Sequence, residues 1–253
     1  GLECRRVLFR AAAHASGVSV LRAESLVKSY DGRPVVKGIS MAVSAGEIIG
    51  LLGRNGAGKT TTFRMIAGLE RPDGGRLELD GEDISRRTAS ERAARGIAYL
   101  PQETSVFLKT SVAGNLRLVL ELRLRSKAER EARLERLLDD MRLTSLSRRS
   151  AHALSGGERR RLEIARALVL DPKFLLLDEP FTGIDPLTIQ DLQKIFMALR
   201  DRGIGLVVSD HNVRDTFTIV SRAMIIDEGR VLAEGRPAAL AVDKTVQQRF
   251  LGN

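Results

Sequence analysis

The stretch GEIIGLLGRNGAGKTT, from Gly46 to Thr61, limits what this chain can become more than any other. Its first half is apolar without alternation, as in a strand covered on both faces, and such strands belong to parallel sheets with helices on either side. Its second half, Gly53-Arg54-Asn55-Gly56-Ala57-Gly58-Lys59-Thr60, fits G-x-x-x-x-G-K-[ST] and feeds a helix expected from about Lys59 to Ala67. Glycine strips away side-chain bulk, so successive backbone N–H groups can line a nest around phosphate oxygens. Lys59 places a positive charge at the β and γ phosphates, and the Thr60 hydroxyl is a Mg²⁺ ligand. A chance lysine in a glycine-rich turn lacks this strand–loop–helix context, so the segment predicts a nucleoside triphosphate site.

FLLLDEP, Phe174 to Pro180, supplies the complement. An apolar strand ends in two acids at its C-terminal edge, where open α/β sheets bind ligands. Asp178 suits the Mg²⁺ shell. Glu179 suits the acceptance of a proton from, or the orientation of, an attacking water.

Around these segments the pattern is regular from Val18 onward. VLRAESLVKSY and VVKGISMAV alternate apolar and polar residues, as half-buried antiparallel strands do, and RLELDG adds a short strand. Ser111 to Arg149 reads as charged helices, with Glu129 and Arg133 one turn apart and able to support each other. After Leu168, strands FLLLD, GLVVSD and RAMIIDEG alternate with a helix from Pro186 and another from about Val213. Such alternation implies a parallel sheet with right-handed crossovers. The expected class is therefore α/β, with a helical lobe inserted into the core.

Composition removes other classes. The 253 residues suffice for one large domain. The longest apolar runs, such as Phe174 to Leu177, are too short to cross a bilayer, so action at a membrane requires a partner. Cys4 is the only cysteine, which excludes a disulfide framework within the chain, and three scattered histidines make no zinc site. The net charge of +9 suits an anionic partner, but much of it lies between Arg123 and Arg161 and reads as a solvated helical surface. With no Trp and few aromatics, base-stacking platforms are not expected. Residues 1–17 carry no strong period and are expected to be a disordered or non-native tail ahead of a domain at 18–253.

LSGGERRRLEIARAL, Leu154 to Leu168, sets a Ser-Gly-Gly turn at the start of a basic helix, where unpaired N–H groups suit an anion. Taken in order, Gly53–Thr60, Gln102 in YLPQE, Leu154–Glu158, Asp178–Glu179, Gly183-Ile184-Asp185 and His211 in SDHN resemble the ATP-binding subunit of ABC transporters. Agreement runs from Val18 to about Pro237, with Glu158 where that family more often has Gln. The resemblance implies a P-loop NTPase core with a mostly parallel sheet, an antiparallel β subdomain, and an α-helical lobe at about 103–170. It implies ATP and Mg²⁺ as ligands and ATP hydrolysis as the activity. Tyr30 would stack on adenine. Gly53, Arg54, Asn55, Gly56, Ala57, Gly58, Lys59, Thr60 and Thr61 would hold phosphates. Thr60, Gln102 and Asp178 would surround Mg²⁺, and Glu179, His211, Gln102 and Lys59 would act in catalysis, with His211 at the γ-phosphate. Ser155, Gly156, Gly157 and Glu158 would grip ATP held by a second copy, with Asp185 crossing between copies. One phosphate loop and one such turn per chain then call for a homodimer with two ATPs head to tail, bound to two integral membrane subunits. Arg159 to Arg161 are expected mostly on outer turns of their helix, giving no more than support to the anionic site.

Within that family, the same helix together with LDEPFTGIDPLTIQDLQKI, SDHNVRDTF and RAMIIDEGRVLAEG looks like the lipopolysaccharide-export ATPases of Gram-negative bacteria. This implies a peripheral protein on the cytoplasmic face of the inner membrane, with neither the lipid cargo nor nucleic acid as a direct partner. The groove for the membrane subunits would run near Gln102 to Asn115, with Phe107 as a wall. Two alternatives stay open. The ATPase of a branched-chain amino acid importer shares much of the core but fits the Phe181–Gly183–Asp185–Pro186 pattern and DHNVR less well. A non-transport ABC ATPase acting on nucleic acid would suit the charge, but usually has two nucleotide domains or a long coiled-coil insertion, neither present in this sequence.

Overall fold

A computed structural model describes residues 17–251. The expected tail, Cys4 included, lies outside the described residues except for Gly17.

Strands β1 (Val20–Tyr30) and β2 (Arg33–Ser44) pair antiparallel, and with β4 (Gly74–Leu79) and β5 (Glu82–Asp83) they form a four-stranded sheet in the order β2-β1-β4-β5. The larger sheet holds β3 (Ile48–Gly53), β6 (Ile97–Leu100), β7 (Phe174–Asp178), β8 (Gly205–Asp210), β9 (Arg222–Asp227) and β10 (Arg230–Gly235), in the order β10-β9-β3-β8-β7-β6. Five of these strands run parallel; β10 alone returns antiparallel to β9. β3 is buried at every position, which is why IIGLLG shows no polar alternation.

Side chains of the larger sheet divide between two apolar layers. On one face Leu51, Leu176 and Val207 meet Phe63, Met65 and Ile66 of α1 (Lys59–Ala67) and residues of the antiparallel sheet. On the other, Leu52, Leu175, Leu177 and Val208 join the apolar faces of α3 (Val112–Arg123), α4 (Lys127–Asp140), α5 (Gly156–Leu168) and α6 (Pro186–Asp201). Each fully buried Leu contributes roughly 2 kcal/mol of burial free energy. Short helices α2 (Ala89–Ala94), α7 (Val213–Phe217) and α8 (Pro237–Val242) complete the connections, and helical turns at Lys244–Val246 and Gln247–Leu251 follow.

The helix starts follow from sequence. Ser126 accepts from Glu129 N at α4, and Asp185 accepts from Thr188 N at α6, where Pro186 occupies the first turn. Three expectations need correction. The stretch to Arg149 is helical only to Asp140; short 3₁₀ turns follow at Thr144–Leu146 and Ala151–Ala153. Arg133 turns away from Glu129, donates to Leu168 O at 3.1 Å and pairs with Asp171, tying α4 to the end of α5. Strands β5, β6 and β10 were not expected: the first two have two and four residues, and the last lies half exposed at the sheet edge. Among the described residues, no helix is long and apolar enough to cross a membrane.

Candidate active site

The loop between β3 and α1 borders a cleft of about 240 Å³, lined by Asn55, Gly56, Lys59, Thr60, Thr61, Gln102 and Glu179 among others. A larger cavity of about 330 Å³, beside Val18, Asp80 and Lys173, contains none of the expected site residues. Gly58 sits at φ +101°, and a Cβ there would lie 3.0 Å from Val35 O, so glycine is required on two counts. Lys59 is buried, and its Nζ donates to Gly53 O at 2.8 Å and to Arg54 O at 3.1 Å. The loop thus holds its own cation against the floor of the cleft.

Glu179 is where four segments meet. Its Oε1 lies 3.5 Å from Lys59 Nζ. Its Oε2 accepts from Gln102 Nε2 at 3.1 Å and Thr182 Oγ1 at 3.2 Å, and lies 3.5 Å from His211 Nδ1. The Glu179 backbone adopts φ +44°, a left-handed conformation that costs a non-glycine residue about 1 kcal/mol or more. The fold sustains it by anchoring Glu179 N–H to Ser209 O at 2.9 Å and Ser209 Oγ at 3.2 Å. A lysine, an amide, a hydroxyl and an imidazole thus converge on one carboxylate carried by a strained backbone.

Asp178, fully buried one residue earlier, takes Ser209 Oγ–H at 2.5 Å and Tyr99 O–H at 3.1 Å on its two oxygens. Burial, followed by the Asp178 charge, pushes the Tyr99 phenol well up, so it stays a donor. Thr60, Asp178 and Gln102 offer oxygen ligands with a single carboxylate. This set fits Mg²⁺, which keeps waters and phosphate oxygens and needs no protein cage. No cluster of three or more His, Cys, Asp or Glu able to hold a metal occurs among the described residues.

The Ser-Gly-Gly turn does not line the cleft. Ser155 Oγ accepts from Glu158 N at 3.2 Å, and Glu158 Oε2 accepts from Ser155 N at 2.8 Å, a reciprocal cap. Ser155 and Gly156 are exposed, while Gly157 is buried and a Cβ there would fall 2.0 Å from Thr188 Cγ2. Thr188 in turn bonds both oxygens of Asp185, through N–H at 3.0 Å and Oγ1–H at 2.6 Å. These bonds hold the Asp185 carboxyl below the usual range. The turn and the loop carrying Asp185 therefore form one continuous edge.

Arg160 corrects the expectation for the basic run. It is 6% exposed, with Nη1 donating to Pro101 O and Glu163 Oε2, both at 2.9 Å, and Nη2 donating to Asp178 O at 3.0 Å. It braces α5 against the Gln102 loop and the Asp178 strand. Arg159 donates to Leu154 O at 3.1 Å. Tyr30 is outside the cleft lining: it is exposed, and Lys28 Nζ lies 5.4 Å from its ring centroid. The sequence reading missed Tyr99, Ser209, Thr182 and Arg160. Ser209 was within reach, since the parallel register sets it beside Asp178.

The ABC transporter family profile matches residues 36–182. The lipopolysaccharide export system ATP-binding protein LptB of Acidithiobacillus ferridurans is 50% identical over 234 residues, 92% of this chain and 97% of that protein. The chain belongs to the ABC transporter ATP-binding family. LptB of Haemophilus influenzae is 48% identical over 236 residues, 93% of this chain and 98% of its own length. Among solved structures, the ADP conformation of MJ1267, an ATP-binding cassette of an ABC transporter, matches with a TM-score of 0.82 at 26% identity, covering 93% of this chain and 99% of that one. A nucleotide-free ATP-binding cassette matches at 0.81 and 25%, covering 93% and 100%. The fold is that of an ABC ATPase cassette, and the protein is an ATP-binding, ATP-hydrolysing subunit.

Proposed function

We propose that this ATPase powers lipopolysaccharide export as a homodimer at the cytoplasmic face of the inner membrane, bound to two integral membrane subunits. The convergence of Lys59, Gln102, Thr182 and His211 on the strained Glu179 carries the hydrolytic part of this reading. The cargo rests on 47–50% identity to relatives named for lipopolysaccharide export. Residues 18–253 act as one cassette, with about 103–170 as its helical lobe. The cassette contacts neither the lipid nor nucleic acid.

In this mechanism the loop amides from Gly53 to Thr61 and the Lys59 ammonium hold the phosphates, and Tyr30 takes the adenine. The γ-phosphate competes for Lys59 and frees Glu179 Oε1 to receive a water proton. His211 turns its imidazole to the γ-phosphate. Thr60, Gln102 and Asp178 would hold Mg²⁺, which when bound offsets the charge gathering on the phosphate. The exposed Ser155 turn, with Gly156, Gly157 and Glu158, meets ATP bound to the second copy, and Asp185 lies on the same edge. Phe107, 51% exposed beneath the Arg166 guanidinium at 4.8 Å, offers the membrane subunits an apolar wall.

The test is reconstitution in proteoliposomes with lipopolysaccharide-export membrane subunits. ATP-dependent release of lipopolysaccharide is expected. No release there, with leucine transport alongside importer subunits, would replace this reading by that of a branched-chain amino acid importer.

A further inference from the structure

We propose that Asp210 is a positioning residue for His211: its buried carboxylate takes the imidazole Nδ1–H when Glu179 turns to water, and so aims the ring at the γ-phosphate. The inference rests on the role given to His211 above.

Asp210 ends β8 and is 1% exposed. One oxygen, Oδ1, accepts from Asn212 N at 2.8 Å, which carries the chain around His211. The other, Oδ2, is buried and takes no hydrogen bond. A buried carboxylate with an idle oxygen is destabilising, because the charged form has lost water without gaining a donor. Burial accordingly pushes this carboxyl above the usual range. The neighbouring strand end is built differently, since Ser209 and Tyr99 satisfy both oxygens of Asp178. Local structure does not require the charge at 210: asparagine would keep the Asn212 bond.

What the charge faces is the imidazole. His211 Nδ1 lies 3.5 Å from Asp210 Oδ1 and 3.5 Å from Glu179 Oε2. It stands between two carboxylates, and a movement of about 0.6 Å toward either makes a normal hydrogen bond. Glu179 Oε2 already accepts from Gln102 and Thr182. Asp210 Oδ1 accepts one bond, from Asn212 N, and Oδ2 beside it accepts none, so the spare capacity for Nδ1–H is greater on Asp210. The His211 ring is 49% exposed and makes no hydrogen bond to the described residues, so a partner at Nδ1 would decide its direction. Holding Nδ1–H fixes both the ring orientation and the proton at that atom, as carboxylates do for other working histidines. With a proton on each nitrogen, the ring would donate Nδ1–H to Asp210 and Nε2–H to the phosphate.

The experiment uses the full chain with Asp210→Asn, His211→Ala and the double variant. In Asp210→Asn, kcat should fall roughly tenfold or more with KM for ATP within about twofold, a loss confined to the reacting state. The same change in His211→Ala should cost nothing further. In the unaltered chain with a non-hydrolysable ATP analogue, imidazole ¹⁵N shifts should report a protonated, hydrogen-bonded Nδ1. Wild-type kcat in Asp210→Asn, a full additional loss in the double variant, or an unprotonated Nδ1 would each overturn the proposal. His211→Ala with normal hydrolysis would instead remove the role of His211 itself. His211→Ala inactive with Asp210→Asn normal would remove only the inference about Asp210.

Discussion

Glu179→Gln isolates the chemical step from binding. The amide keeps the shape of the side chain, and its oxygen can still accept from Gln102 Nε2 and Thr182 Oγ1, now 3.1 and 3.2 Å from Oε2. The strained backbone anchor to Ser209 is untouched. Lys59 loses a neighbour at 3.5 Å but keeps its bonds to Gly53 O and Arg54 O, so the phosphate loop should hold its form. The remaining loss is the negative charge and its basicity. General-base catalysis contributes two to four powers of ten, so hydrolysis should fall about a hundredfold or more, equivalent to about 3 kcal/mol of barrier. The assay is phosphate release at saturating ATP, with nucleotide affinity measured separately. Binding should persist, and light scattering should show a stable dimer in ATP but not in ADP, since in the proposed dimer only the γ-phosphate would bridge two copies. Turnover within about threefold of the unaltered chain, at equal affinity, would show that Glu179 is not the base.

Gly157→Ala places a Cβ 2.0 Å from Thr188 Cγ2, so it should weaken ATP-driven dimerisation and turnover while sparing ATP binding to one chain; adding Thr188→Ser, which removes that methyl, should restore activity, and failure of the rescue would refute the steric account. Arg160→Met strands the buried Glu163 and should cost about 3 kcal/mol, read as a melting temperature lower by roughly 6–10 °C, whereas an unchanged melt would refute the brace. Asp210→Asn should leave the melting temperature at pH 7 unchanged or raised. Because burial raises the Asp210 carboxyl, the native state favours its protonated form; the destabilisation is absent below the unfolded value of 3.8 and develops as pH rises through the folded one. Any gain from Asp210→Asn should therefore shrink toward pH 3.8, and a gain that grew on acidification would contradict this.

The phosphate loop, the Asp178–Glu179 pair and the Ser155 turn were legible because each needs residue types at fixed spacing in one segment. The strands were legible where burial is extreme, as in IIGLLG, or alternating, as in β1. β6 has only four residues, too few to display a period. What stayed hidden depends on contacts across the chain. Tyr99 reaches Asp178 from 79 positions away and Ser209 from 31, and neither distance leaves a mark in local sequence. Arg160 reads as one of three surface arginines, because helical position alone does not reveal that Pro101 O and Asp178 O await a guanidinium. Asp185 shows the opposite limit. Its sequence setting fits both a helix cap and a group shared between copies, and the cap is made in full within one chain.

The central claim is that one site is built from the phosphate loop of one copy and the Ser155 turn of another. Lys59→Ala removes the first half and Ser155→Arg the second, so each variant alone should fail to hydrolyse ATP. Mixed in equal amounts, they form heterodimers in which one of the two sites has both halves intact. Random pairing makes half the dimers mixed, so the mixture should recover toward about a quarter of the unaltered activity. Phosphate release that stays at zero across all mixing ratios, with heterodimers demonstrated by differential labelling, would contradict the shared site.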